Sequence, residues 1–325
     1  MKKYYIDVKM GTGGNIALCH VLNYLKDHYQ DDFEFNVVSP YHDLFQACPA
    51  VTHTYTPQQY RDFVFDAKAN DGEIIEHRLY DMSDFIFKKL NYTQAWLQLM
   101  NIPREYWPEI DEGAESTPTT VVSKFDVYKA FPALKPMVDA ILKKHKKFII
   151  VQFEGGCSPL IQVPLGQNGQ PDWSRVPKNY GTEPLARIYP EDKAQEFINL
   201  FKQDHPDVDI INFALPNERN YTGTVKYTVP YLVYYMLASS DKCLGTVSID
   251  SCLQHLVAGK TKSVVMWHHT LPENFGYLYN KNLKAKCRRD DILYFTPLGP
   301  SGAAVDYITP TDLEIEVNNC LFNRD

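Results

Sequence analysis

The sequence is first informative by what it lacks. Its 325 residues contain no run of 18 apolar residues, so no segment reads as a transmembrane helix. The seven cysteines are odd in number, widely spaced and never arranged as C-x-x-C. That excludes a zinc or disulfide framework and fits small buried hydrophobes in a reducing compartment. There is no basic excess: the formal net charge is −7. Duplex DNA binders show a basic surplus because phosphate neutralisation dominates their affinity, so the balance opposes that class. Two basic runs, Lys143–Lys147 and Lys281–Arg289, read as solvated helix ends or loops. Asp7 interrupts the apolar stretch behind Lys2 and Lys3, so no signal peptide and a cytoplasmic location are expected. The glycine turn at Gly11–Asn15 is not G-x-G-x-x-G, because position 16 is Ile, nor a P-loop, because no Gly-Lys-Ser/Thr follows it, and no D-x-D lies on a loop between strands.

What is present is ordinary in bulk. With 44% hydrophobic and 22% charged residues, the chain is neither disordered nor fibrous, and its length suits two cores of usual size. Order along the chain is more telling. Lys3–Lys9 reads as a strand, Gly11-Thr12-Gly13-Gly14-Asn15 as a turn, Ile16–His28 as a helix and Phe33–Val38 as a second strand. Leu44–Ala47 reads as a short helix and Glu76–Met100 as a long one, with a surface loop over Asp111–Thr120. A second alternation follows: helix Met137–Lys147, strand Phe148–Phe153, helix Pro190–Lys202, strand Val208–Phe213 and helix Pro230–Ala238. Strand Lys242–Leu244, helix Ser251–Ala258, strand Ser263–Trp267 and helix Asp312–Cys320 complete it. Between them Cys157–Glu183 is a long aperiodic stretch, functional or disordered.

Repeated βα alternation implies parallel sheets. We therefore expect an α/β protein of two Rossmann-like domains, residues 1–140 and 141–325, with a linker inside 132–147 and a ligand cleft between them. The C-terminal helix is open to packing back on the first domain.

Four constellations could carry chemistry. Gly11-Thr12-Gly13-Gly14-Asn15 joins a strand to a helix, so it is either a tight βα turn or a place where an anion meets free N–H groups. In Gly245–Lys260, Asp250 and Ser251 suit a helix cap, while His255 is either a satisfied core histidine or a ligand contact. Arg187 precedes a helix starting at Pro190 and suits bidentate phosphate contact. Glu218 follows a strand and could accept from ribose hydroxyls.

In order along the chain these pieces resemble glycosyltransferase family 9, the heptosyltransferase-like family. Asp250-Ser251-x-x-x-His255-x-x-Ala258-Gly259-Lys260 is similar to that family's Asp-Ser/Thr-Gly-x-x-His-x-x-Ala signature, continuing into Pro272-Glu273-Asn274-Phe275-Gly276. Arg187-Ile188-Tyr189-Pro190, Glu218 and the Gly14-Asn15 turn resemble its other landmarks. Asn15 stands where the family carries an aspartate proposed as base, Cys252 replaces a glycine, and Cys157–Glu183 resembles an insertion.

The resemblance implies a GT-B fold and sugar transfer from a nucleotide-diphosphate sugar to a glycan or lipopolysaccharide-like hydroxyl. A hydroxymethylated DNA base or a non-catalytic binding module stand as alternatives. The donor then rests on Arg187, Glu218, Asp250, Ser251, Cys252 and His255, and the acceptor on Gly11, Thr12, Gly13, Gly14 and Asn15. Asp7 and His20 are the first candidates for the base, and His42-Asp43 lie after the second strand. The donor is a co-substrate, so no cofactor is expected. No metal is expected either, because no ligand cluster is visible and His268-His269 point apart on a strand.

Overall fold

Tyr4, Tyr5 and Ile6 are strand-forming and buried, and they centre the first strand, β1 (Lys2–Asp7). The chain continues through α1 (Thr12–His28), β2 (Phe33–Val38), α2 (His42–Gln46), β3 (Val51–Tyr55), α3 (Tyr60–Ala69) and β4 (Glu73–Glu76). Helices α4 (Ser83–Ile86), α5 (Tyr92–Leu99), α6 (Val127–Ala130) and α7 (Lys135–Lys144) lead to β5 (Phe148–Gln152), which is buried along its whole length. Then come α8 (Glu191–Asp204), β6 (Asp209–Asn212), β7 (Val225–Lys226), α9 (Tyr231–Ala238), β8 (Cys243–Ile249) and α10 (Cys252–Leu256). β9 (Ser263–Trp267), α11 (Pro272–Phe275), β10 (Asn280–Lys284), β11 (Lys286–Cys287), β12 (Val305–Asp306) and α12 (Pro310–Leu321) finish the chain. This computed structural model describes residues 1–29, 32–86, 90–108, 117–122, 124–155, 188–216, 218–268, 270–287 and 305–322. Arg187, Asn217, His269 and the stretch Cys157–Glu183 lie outside the described residues.

Two parallel sheets result. The first has the order β3-β2-β1-β4 and the second β10-β9-β8-β5-β6-β7; β11 and β12 form a small antiparallel pair. In each sheet the strand order reverses once, between β1 and β4 in the first and between β5 and β8 in the second. In open α/β sheets of this kind ligands lie beyond the carboxyl ends of the strands at such a reversal.

One expectation is corrected and two unforeseen elements appear. Glu76–Met100 is not one helix: β4 ends at Glu76, α4 is a single turn, and α5 restarts at a capping box. There the Asn91 side chain accepts from Gln94 N at 3.0 Å and the Gln94 side chain accepts from Asn91 N at 2.9 Å. Strand β3 and helix α3 have no counterpart in the sequence reading. Helix α12, whose place was left open, lies with the second sheet. It packs on α8, β8 and β9, and Leu313, Val317 and Leu321 join the second sheet's core. Helix α7, which contains the expected boundary at 140/141, packs on α9.

The two sheets are not loosely tethered. One apolar cluster runs from Tyr4, Ile6 and Leu22 through Tyr92, Trp96 and Phe125 to Leu232, Leu253, Trp267 and Phe275. Polar contacts sew the same seam: Asn274 Nδ2 donates to the Phe85 and Leu90 carbonyls at 3.1 Å, and Thr119 N donates to the Gly276 carbonyl at 3.0 Å. Among the described residues no helix is long and apolar enough to cross a membrane.

Candidate functional site

Helix α1 begins four residues earlier than its apolar periodicity shows, so Thr12-Gly13-Gly14-Asn15 is its first turn and Gly11 its N-cap. None of these glycines has a positive φ, so turn geometry is not why they are glycine. Close packing is. A Cβ on Gly13 would lie 2.8 Å from His255 Cδ2 and 3.6 Å from Cys252 Cα, and one on Gly14 would lie 2.7 Å from the Tyr92 hydroxyl. The missing side chain at Gly13 lets α1 press directly onto α10, across the seam between the sheets, and that at Gly14 leaves room for Met10 and Tyr92.

Asn15 is fully buried, and its amide is used up locally. Nδ2 donates to the Met10 carbonyl at 2.9 Å and the Gly11 carbonyl at 3.0 Å, while Oδ1 accepts from Ser39 Oγ at 2.6 Å. The side chain locks the β1–α1 loop to the end of β2. A carboxylate offers no N–H and could not make the first two bonds.

Facing this turn is the β8–α10 segment. Ser251 holds the N-cap position of α10 without a side-chain cap bond. The capping is done from another strand: Gln152, the last residue of β5, accepts from Leu253 N at 3.1 Å, and its Nε2 lies 4.0 Å from Cys252 Sγ. Asp250 Oδ1 accepts from Gln254 Nε2 at 2.8 Å, which ties the turn to its own helix. Gln152 and Asp250–Cys252 therefore occupy the β5/β8 reversal of the second sheet.

His255 sits one turn inside α10, buried, with Nδ1 and the Tyr277 hydroxyl sharing a 2.8 Å hydrogen bond. Its carbonyl accepts from His20 Nε2 at 2.9 Å. The rings of His20 and His255 both meet the Tyr277 ring edge-on, at 5.6 Å between centroids.

The two first-ranked base candidates fit that role poorly. His20 is 2% exposed inside the seam and spends Nε2 on a backbone carbonyl. Asp7 shares its strand face with Tyr5, whose ring packs on Phe63 of α3, so it points away from α1; its carboxylate pairs with Lys9 at 2.8 Å. Glu218 is buried and closes its own loop, accepting from Leu215 N at 2.7 Å.

Tyr41 and Glu154 escape the sequence reading, and Asp43 enters it only as a residue that follows the second strand. The Tyr41 hydroxyl lies beside the side chain and backbone of Thr12, at the N-terminus of α1. Burial, with Cys252 and Asp43 nearby, pushes the Tyr41 phenol up. Asp43, in the first turn of α2, accepts a short hydrogen bond from the Tyr231 hydroxyl at the start of α9. Just past the end of β5, buried Glu154 pairs with Arg219, which also pairs with Glu191. The one sequence signal for Tyr41, Asp43 and Glu154 is placement soon after a strand. Among the described residues no group of three His, Cys, Asp or Glu could hold a metal ion.

The buried histidines set a pH limit. Burial lowers the His20 pKa to about 3 and that of His77 to about 4. The unfolded chain binds protons on these rings near pH 6.5 while the folded chain does not, so stability is full above that value and falls with decreasing pH. His20 alone should cost about 1.4 kcal/mol per pH unit below about 6.5. Urea unfolding at pH 7 and pH 5 should show the loss, and His20→Gln should reduce it; equal pH dependence for both proteins would refute the assignment.

The geometry thus defines a class: two Rossmann-type sheets joined so that the helix N-termini after β1, β2, β7 and β8 converge on one seam. No protein-family model and no curated protein matches the sequence. Solved structures do match the fold. E. coli ADP-heptose LPS heptosyltransferase II aligns over 99% of this chain and 98% of its own, with a TM-score of 0.58 and 12% identity. A glycosyl transferase family 9 protein from Veillonella parvula aligns over 87% and 85%, with a TM-score of 0.52 and 9% identity. E. coli heptosyltransferase WaaC with ADP-2-deoxy-2-fluoro heptose aligns over 98% and 99%, with a TM-score of 0.51 and 9% identity. The architecture is GT-B.

Proposed function

We propose that this chain is a glycosyltransferase that moves a sugar from a nucleotide-diphosphate donor to a hydroxyl of a lipopolysaccharide-like or other glycan acceptor, in the cytoplasm and without a metal. One observation carries the reading. In a chain that aligns end to end with heptosyltransferases, the reversal point of the second sheet coincides with Asp250–Cys252 and faces the N-terminus of α1. Strand reversals are where such sheets bind nucleotides, and helix N-termini favour the charge that develops on a leaving diphosphate.

In this reading the second sheet holds the donor and the first presents the acceptor. Ser251 and Cys252 meet the diphosphate, Gln152 yields the α10 N–H groups to it, and Asp250 keeps the turn in shape. His255 fixes α10 against Gly13, Glu218 serves the ribose side, and Arg187 adds positive charge. Gly11 and Thr12 form the acceptor-side wall. The resemblance to heptosyltransferases favours an ADP-linked heptose among donors.

The test is a thermal-shift panel of ADP-, UDP-, GDP- and CDP-linked sugars, followed by transfer to truncated lipopolysaccharide in the presence of EDTA. One donor class should raise the melting temperature and support turnover despite chelation. Turnover restored only by magnesium or manganese would overturn metal independence. A panel with neither shift nor turnover would overturn the function itself.

A further inference from the structure

A displacement at an anomeric carbon needs a base within reach of the acceptor hydroxyl. The positions that the sequence offers first cannot supply it: Asn15 is an amide engaged in three hydrogen bonds, His20 is sealed in the seam, and Asp7 is paired with Lys9 on the far face. We infer that Asp43, held across the seam by the Tyr231 hydroxyl, is the general base of this site, a role that rests on the glycosyl transfer proposed above.

The placement is specific. Asp43 follows β2, at the carboxyl edge of the first sheet, and Tyr231 opens α9, on the second; 188 residues separate them in sequence. Tyr41, two residues before Asp43, reaches both Thr12 at the start of α1 and the neighbourhood of Cys252 at the start of α10. Asp43 therefore stands beside the point where the two halves present their helix N-termini to each other. It is half-buried, and its Oδ2 makes no hydrogen bond among the described residues, while Oδ1 is committed to Tyr231. The titratable groups around it are Tyr231 from α9, Tyr41 before α2 and Cys19 from α1, and burial raises the pKa of all three.

The step balances without any other reactant. Asp43 Oδ2 takes the proton of the acceptor O–H. The freed oxygen pair forms the new C–O bond at the anomeric carbon, on the face opposite the diphosphate. The bond from that carbon to the diphosphate oxygen breaks, and its electron pair leaves with the nucleoside diphosphate. Tyr231 is a positioning residue: its O–H orients the carboxylate.

The experiment compares Asp43→Asn, Asp43→Glu and Tyr231→Phe in the full-length protein, using the sugar nucleotide that the wild type turns over with truncated lipopolysaccharide. In Asp43→Asn the side-chain amide retains an oxygen to accept from Tyr231. The fold and the donor affinity by calorimetry should therefore hold, while kcat falls by about a hundredfold or more. Asp43→Glu should recover part of it. Tyr231→Phe removes the bond that orients the carboxylate, so kcat should fall about tenfold or more while KM holds, and adding it to Asp43→Asn should cause no further loss. Wild-type kcat in Asp43→Asn, wild-type kcat in Tyr231→Phe, or lost donor binding in Asp43→Asn would each overturn the assignment while leaving glycosyl transfer intact. A wild type that binds and turns over no sugar nucleotide would instead overturn the reading on which it rests.

Discussion

Asn15→Asp, which installs the residue family 9 carries at this turn, is expected to destabilise the protein by about 3 kcal/mol at neutral pH. The site would lose two N–H donors and gain a charge aimed at the Met10 and Gly11 carbonyls in a fully buried position. The one compensation is the N-terminus of α1, where a carboxylate gains about 1 kcal/mol from the helix dipole. Desolvation and the lost bonds outweigh that. The folded-state pKa of the new carboxyl should lie above its unfolded value, so the penalty is smallest at low pH and grows as pH rises through the unfolded value toward the folded one. Urea unfolding at pH 7 and at about pH 4.5, near the unfolded carboxyl pKa, reads this directly. A variant as stable as wild type at pH 7, or one with increased turnover, would show that position 15 is a vacant base site and not a clamp.

Gly13→Val is expected to cost about 2–3 kcal/mol, through overpacking of the α1–α10 contact. A Cβ at 2.8 Å from His255 Cδ2 needs the imidazole to retreat. The ring is buried, bonded to Tyr277 and carried on a backbone that His20 holds by its carbonyl, so retreat means moving α10. Nucleotide affinity should fall with stability, because Cys252 opens the same helix. Gly11→Ser is the control, since a Cβ there meets nothing within 4 Å. Calorimetry should find Gly11→Ser within about 0.5 kcal/mol of wild type. Similar melting temperatures for Gly13→Val and Gly11→Ser would contradict the close approach.

Legibility in the sequence follows burial. β1, β2, β5 and β9 are largely buried and read as runs, and α8 announces itself with Pro190 and two acids in its first turn. β3 is invisible because Val51-Thr52-His53-Thr54-Tyr55 is a largely exposed edge strand without an apolar run. Glu76–Met100 misleads because its apolar spacing crosses a strand end and two short helices, the second opened by the Asn91 cap. In the site, Asp250–His255 is readable because strand, turn and helix are contiguous there. Gln152 acting on Leu253 and Tyr231 acting on Asp43 are not, because contacts between residues 101 and 188 positions apart leave no local pattern.

The seam between α1 and α10 also bears on how the chain is made. His20 and the carbonyl it meets are 235 residues apart, so during synthesis α1 leaves the ribosome long before α10 exists. The first four strands find their partners in the first sheet by Glu76 and can pair early. The inward face of α1, with Gly13, Ala17 and His20, then waits as an uncovered patch until β8 has been inserted beside β5. Domains that fold while an apolar face awaits a distant segment are exposed to misassembly in the interval. The final steps of folding therefore belong to the residues that also shape the cleft, and a chain truncated before Cys252 would leave this face permanently open.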